Sequence, residues 1–388
     1  MKLRAIVLNL SLILSLAGAQ SVQARFAYPE TVKVPVQRLL SNLEKRLNSP
    51  ESKLDANEKA ELKFRIGRLH SMAYALKTST VGILKSQVES LDHGVVNPFY
   101  GVTFGDFNQF SPQGTAGDAA AEAHLKAAIK NLTAAVKLNP ALLQAKLGLA
   151  WCLDQSGEKS TALPLYREVF KSAYEREKNH GGLSGTSIAS ETAGYLEALL
   201  NPTKDAAEIA SIKERVKIVD SNFRAITPII VPLVPELTIK DMLRPASVSF
   251  DLDGNGPKHY LQWTGARAGW LVYDFSKSKQ ITSGLQLFGP SSFWIFWNDG
   301  YEAMKALDDN NDNQLSGTEL NGLAVWSDTN GDGKSDAAEV RSVQELGITS
   351  LSCNGHLSAD GTLGSINGVT FSDGRRADTY DLFLEQVK

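Results

Sequence analysis

The stretch Asp308-Asp-Asn-Asn-Asp-Asn-Gln-Leu-Ser-Gly-Thr-Glu319, followed by Asp328-Thr-Asn-Gly-Asp-Gly-Lys-Ser-Asp-Ala-Ala-Glu339, places two acidic loops almost back to back. The second satisfies D-x-[DN]-x-[DN]-G-x5-E at every fixed position. A hard cation such as Ca²⁺ takes about six to eight oxygens. Asp328, Asn330 and Asp332 alternate so that three side-chain oxygens can face inward as the backbone coils. Gly333 permits the turn that brings the Lys334 carbonyl round, Asp336 reaches the ion directly or through water, and Glu339 closes the site with two oxygens. In the first loop the same roles fall on Asp308, Asn310, Asp312, the Gln314 carbonyl, Ser316 and Glu319. Asn313 stands in for the glycine, and Asn accepts left-handed backbone angles. Asp309, at a second position that supplies no ligand, is expected to be silent when substituted. Asx-rich turns that bind nothing have a similar composition. Two in tandem, each ending in Glu, point to Ca²⁺ as the cofactor.

Outward from the loops the chain reads as strands. Leu320–Ser327 leaves eight residues between them, only about two helical turns at ~1.5 Å per residue. The spacing therefore predicts EF-hand-like loops on a short connection through Trp326 rather than a pair of full helix–loop–helix units. A helix is expected over 337–346, stopped at Gly347, then a strand at Ile348-Thr-Ser-Leu351. Val248-Ser-Phe250 and Leu271-Val-Tyr273 read as further strands, and five of the six tryptophans lie beyond residue 247. The group Phe293, Trp294, Phe296 and Trp297 reads as core rather than a ligand platform. Asp251-Leu-Asp253-Gly-Asn255-Gly256 begins like a third calcium loop but has Gln262 at the twelfth position, which leaves it open as a site. A faded version at Asp274, with Ser276 and Ser278, is expected to bind nothing.

In their order, Phe250-Asp-Leu-Asp-Gly-Asn-Gly, Gly269-Trp-Leu-Val-Tyr-Asp, Leu287-Phe-Gly, the two loops and Leu346-Gly-Ile resemble the calcium-binding modules of bacterial hemolysin-type exported proteins. The resemblance covers about 248–352. It implies a calcium-ordered exported module and attaches no activity to particular residues. The glycine-rich nonapeptide arrays of those proteins are missing from this sequence.

Upstream, Pro228, Pro232, Pro235 and Pro245 fall within eighteen residues. That density breaks helices and central strands alike, so a proline-rich connector is expected over 226–247, between a helical domain at 25–225 and a calcium-binding domain at 248–388. Ile229-Ile-Val231 is too apolar for a free linker and is expected to pack on a neighbour. In the helical half, Ala128, Leu132, Ala135 and Leu138 recur at helical spacing before Asn139-Pro140. Helices follow at about 141–155, from Ser160 with Pro164 in its first turn, at 191–200 and at 206–219. Ala128, Ala135 and Pro140, then Ala150, Gly157, Ala162 and Tyr166, resemble tetratricopeptide repeats, as do Leu39–Leu47 and Ile66–Ala75. The stretch near 78–118 interrupts the period as an insert. Such solenoids commonly bind a protein or peptide partner on their concave face; a helical support without a ligand is the other reading. The fold class is thus multidomain, α followed by α+β: a TPR-like helical domain, then a small β-rich domain with tandem EF-hand-like loops.

The chain has 388 residues and a net charge of −3, which gives no electrostatic reason to expect nucleic acid or an anionic membrane as a partner. Lys2 and Arg4 precede the apolar run Ala5–Leu16 and the small-residue end Val22-Gln-Ala24, so residues 1–24 read as a signal peptide, with a retained anchor the lesser alternative. After its removal no integral membrane span is expected, and the protein reads as periplasmic or secreted. Export would permit a Cys152–Cys353 bridge, although Cys152 also suits burial in a helix as a free thiol. His70, His93, His124, His180, His259 and His356 form no H-E-x-x-H, and no G-x-S-x-G or phosphate-binding glycine loop occurs. The sequence supports a calcium-binding scaffold rather than an enzyme, the alternative being a secreted or periplasmic hydrolase with structural calcium. The intact mass of exported protein should correspond to a chain starting at Arg25, or at Gln20 for an earlier cut. Recovery from the membrane of a chain still starting at Met1 would overturn the signal-peptide reading.

Overall fold

The computed structural model describes residues 31–34, 36–50, 53–76, 81–84, 96–97, 102–103, 119–179, 187–220, 222, 226–252, 258–274 and 277–387. The signal-peptide reading, the third acidic loop beyond Leu252 and most of the insert near 78–118 fall outside them. Nine α-helices are described: α1 (Val36–Asn48), α2 (Ala56–Leu76), α3 (Ala119–Leu138), α4 (Leu143–Gln155), α5 (Lys159–Glu177), α6 (Ile188–Leu199), α7 (Ala206–Asp220), α8 (Ile239–Met242) and α9 (Gly300–Lys305). The first seven form the helical N-terminal region. Each packs on the next, and in addition α2 touches α4, α4 touches α6, and α5 touches α7. Small buried residues (Ala128, Ala135, Ala145, Ala150, Ala162, Ala173) allow this close packing. Pro164 is the sixth residue of α5, one residue further in than expected, because the helix begins at Lys159. None of the helices among the described residues is long and apolar enough to cross a membrane.

The strands are β1 (Thr31–Val34), β2 (Val81–Leu84), β3 (Val96–Asn97), β4 (Val102–Thr103), β5 (Ile229–Pro232), β6 (Leu243–Phe250), β7 (His259–Thr264), β8 (Ala268–Tyr273), β9 (Gln314–Ser316), β10 (Leu323–Trp326), β11 (Val340–Ser342), β12 (Ile348–Ser352), β13 (His356–Leu357), β14 (Leu363–Phe371) and β15 (Arg376–Asp381). Nine of them make one antiparallel sheet in the order β11-β10-β8-β5-β15-β14-β12-β9, with β13 added on β14. Only Asn321 and Gly322 separate the 3-10 turn Gly317–Leu320 from β10. Edge strand β9 and β10, next to the opposite edge, are therefore held close by the chain itself, and the sheet curls.

Three strands near one end of this order, β5, β8 and β10, are buried on both faces. Successive side chains along a strand point to opposite faces. Ile229 and Val231, Leu271 and Tyr273, and Leu323 and Val325 join the core shared with the helices. Ile230, Trp270 and Val272, Ala324 and Trp326 enter a second core closed by the β6–β7 hairpin. There Trp263, Trp270 and Trp326 are fully buried, with Trp263 lying 5.4 Å and 5.5 Å, centroid to centroid, from the other two.

This arrangement revises the connector expected at 226–247. Ile229–Pro232 is an interior strand between β8 and β15, and β6 begins at Leu243. Pro232 is tolerated because it ends the strand. The two halves are also not separate bodies. Arg38 of α1 bonds the Asp309 carboxylate (2.8 Å) and the Leu307 carbonyl (2.6 Å), and Asn42 reaches Ala306 O and Asp309. Arg46 makes a two-pronged ion pair with Glu302. From α2, buried Arg65 donates to Phe296 O and lies over Trp297, while Arg68, fully buried, sits 4.5 Å from the centroid of the Phe296 ring. The aromatics Phe293, Phe296 and Trp297 are core, as the sequence implies.

Burial alone would raise the Glu302 carboxyl; Arg46, Lys305 and Arg65 outweigh it and bring it from 4.5 down to about 2. A carboxyl depressed on folding contributes stability above its unfolded value, and that contribution fades as pH falls through the folded value. The contribution at neutral pH is on the order of 3 kcal/mol. Denaturant titrations between about pH 5 and pH 2 should show stability falling with acid less steeply in Glu302→Gln than in the wild type; parallel curves would remove Glu302 from the account.

Candidate metal centre

Both acidic loops are built by the same hydrogen bonds, repeated at an offset of twenty residues from Asp308 to Asp328. In the first, Asp308 accepts from the N–H groups of Asn311 (2.7 Å), Asp312 (3.2 Å) and Asn313 (2.8 Å). In the second, Asp328 accepts from Gly331 (2.7 Å), Asp332 (3.2 Å) and Gly333 (3.0 Å). Glu319 accepts from the N–H of Asp309 (2.7 Å) and Asn310 (3.2 Å), and Glu339 from Thr329 (2.8 Å) and Asn330 (3.3 Å). Asn310 Oδ1 accepts from Asp312 N–H, as Asn330 Oδ1 does from Asp332. The N–H groups of Gln314 and Lys334 donate to the Asp312 and Asp332 carboxylates, both at 2.8 Å. Asn313, at φ 64°, does the work of Gly333, at φ 68°.

The sequence-predicted donors of each loop are carboxylate, amide and main-chain oxygens, with the Ser316 hydroxyl in the first and the Asp336 carboxylate in the second. The donor set is all oxygen and suits a hard cation. Among the described residues, no three or more His, Cys, Asp or Glu side chains group so that they could hold a metal ion, although the first set contains three carboxylates and the second four. Burial pushes the Asp308 carboxyl up, with nearby Asp312 adding to the effect, and burial pushes Asp328 up with a contribution from Glu339. The loop N–H groups from which each carboxylate accepts offset part of this rise.

The loops do not pair with each other. Leu315 of the first belongs to β9 and registers with Leu351 of β12, whereas Ser335 of the second bonds the main chain of Ile281. They therefore lie on the two edges of the curled sheet. No helix follows Glu339: residues 337–339 form turns and β11 starts at Val340, where pairing with β10 supersedes the expected helix over 337–346. Asp274 holds its own turn, accepting from Ser278 N–H (2.9 Å) and Lys279 N–H (2.9 Å).

Some residues at these loops had no signal in local spacing. Arg38 and Asn42 hold Asp309 from 271 and 267 residues away, which gives this non-ligating position a contact outside the loop. Arg244 donates to Asp328 O at 3.5 Å and covers Gly331. Elsewhere, His70 and His124 face each other across α2 and α3, Nδ1 to Nδ1 at 2.9 Å, and burial lowers His70 to about 4, with His124 contributing. Cys152 and Cys353 are both buried and free, with no bridge between them.

A family model described as the SPM domain matches residues 238–385. The iron-regulated protein FrpA of Neisseria meningitidis serogroup C is 35% identical over 149 residues, which is 36% of this chain and 13% of that protein. The chain therefore matches only a small part of that relative's length. The SPM span takes in both loops and most of the sheet but leaves out β5, the interior strand supplied by the segment just before it.

A Cβ on Gly333 would fall 2.6 Å from Ser249 O and 2.7 Å from Val248 Cγ1 at φ 68°, whereas one on Gly317, at φ 52°, would meet nothing. Gly333→Ala should therefore cost about 2–3 kcal/mol of stability and Gly317→Ala about 1 kcal/mol by chemical denaturation. Equal losses would mean that the second loop is not seated on β6.

Proposed function

We propose that this chain is an exported calcium-binding protein in which calcium stabilises the β region, and the helical region serves as a scaffold for a protein or peptide partner. The reading rests above all on the duplicated loop. Two segments of different sequence adopt one hydrogen-bond pattern, and both carry the alternating oxygen-bearing residues of a calcium loop, which supports the reading. Asp308, Asn310, Asp312, the Gln314 carbonyl, Ser316 and Glu319 would hold one ion. Asp328, Asn330, Asp332, the Lys334 carbonyl, Asp336 and Glu339 would hold the other. The loops are EF-hand-like in sequence pattern and lack the flanking helix pairs whose opening defines a sensor, so calcium acts as a structural cofactor in a binding protein rather than an enzyme. Export to the periplasm or beyond is supported by the character of residues 1–24.

For the helical region, contacts between successive and next-but-one helices support a TPR-like solenoid. One face of α1 and α2 is already occupied by the β region, which leaves the partner to the helices further along.

Extracellular calcium modules bind at about 10⁻⁴–10⁻³ M, and free calcium at tenfold Kd adds ~1.4 kcal/mol per site. Titration calorimetry of the full mature chain should give heat for two sites, and calcium should raise the Tm relative to chelator. Glu339→Gln, which keeps the size of the side chain and removes one charge, should lose one of them. Absence of both heat and Tm shift would reduce the loops to acidic turns.

A further inference from the structure

The two loops share their internal geometry but differ in what they hold outside it. Within the first, Asp309 has two roles. Its main-chain N–H donates to Glu319 Oε1 at 2.7 Å, so the closing carboxylate of the loop fixes its backbone. Its side chain turns outward and accepts from Arg38 Nε and Asn42 Nδ2, both at 2.8 Å, while Lys45 Nζ reaches its carbonyl at 3.1 Å. The neighbouring Ala306 and Leu307 carbonyls complete the seat of α1. In the second loop the equivalent residue is Thr329, whose hydroxyl donates inward to Glu339 Oε1 at 2.7 Å. That loop rests instead on β6, through Arg244 and the main chain at Ser249.

We infer that the first loop is an internal docking site whose cation governs how firmly α1 is seated on the β region, and that the second loop has no part in this. The inference builds on the calcium reading above. A cation held by Glu319 and Asp308 fixes the loop that presents Asp309, Leu307 and Ala306 in register with Arg38 and Asn42. Undocking α1 then requires the loop to loosen, and binding to the docked form opposes this by mass action.

Hydrogen–deuterium exchange of the full mature chain, with Ca²⁺ or chelator, tests this beside calorimetry on the same samples. At free Ca²⁺ of about ten times Kd, amides of α1 should exchange roughly tenfold more slowly than in chelator. Glu319→Gln should abolish that slowing, while Glu339→Gln should keep it and lose protection only around β11. Asp309→Thr copies the second loop and leaves every proposed ligand in place. It should bind two ions by calorimetry while α1 no longer responds to calcium. Two ions bound with no change in α1 exchange would overturn the coupling and leave the calcium reading standing; no calcium heat at all would overturn both. An α1 response that survives in Asp309→Thr would also overturn the coupling.

Discussion

The constraint on which the rest of the structure depends is the burial of β5, β8 and β10 on both faces. A strand covered on one side only can alternate apolar and polar residues; a strand covered on both cannot. Ala268–Tyr273 and Leu323–Trp326 are buried at every position, and so is Ile229–Pro232. Two different layers must therefore be supplied. On one face the layer is the β6–β7 hairpin with Trp263; on the other it is the helical region together with the segment 288–307. A β region cut away from the helices would expose one side of its most apolar strands.

That requirement accounts for the unusual junction. Arg65 and Arg68 are almost completely buried, which charged groups tolerate only when paired or packed on aromatic faces. Phe296 supplies both a carbonyl and a ring to them, and it does so from φ 60°, with Phe293 at φ 58°. Bulky side chains in the left-handed region cost on the order of 1–2 kcal/mol each. The contacts of α1 and α2 hold this segment in place. Removing the guanidinium groups would leave the strain without its compensation.

Much of this was legible in the chain. Helical spacing located α3 to α7 to within a few residues, because small and large apolar residues recur at one period. The loops were legible because their hydrogen bonds are local, running from side chains to N–H groups within twelve residues, where residue type nearly determines geometry. The misreadings share a physical cause. Ile229-Ile-Val-Pro232 carries the composition of a proline-broken connector, and only pairing with β8 and β15 makes it a strand. Ala337-Ala-Glu339 favours a helix until β10 captures the residues after it. Arg38 shows no local sign of a partner at Asp309. Long-range pairing overrode local propensity in each instance.

The second position of each loop shows how one local design acquires two external roles. A threonine hydroxyl can donate, so Thr329 adds a bond to Glu339 and its side chain stays within the loop. An ionised aspartate can only accept. Placed beside Glu319 it would repel that carboxylate, so Asp309 turns outward, where Arg38, Asn42 and Lys45 lie along one face of α1. A single change in hydrogen-bonding character, from donor to acceptor, thus directs one loop toward itself and the other toward a helix some 270 residues earlier in the chain. The surrounding backbone geometry remains the same in both.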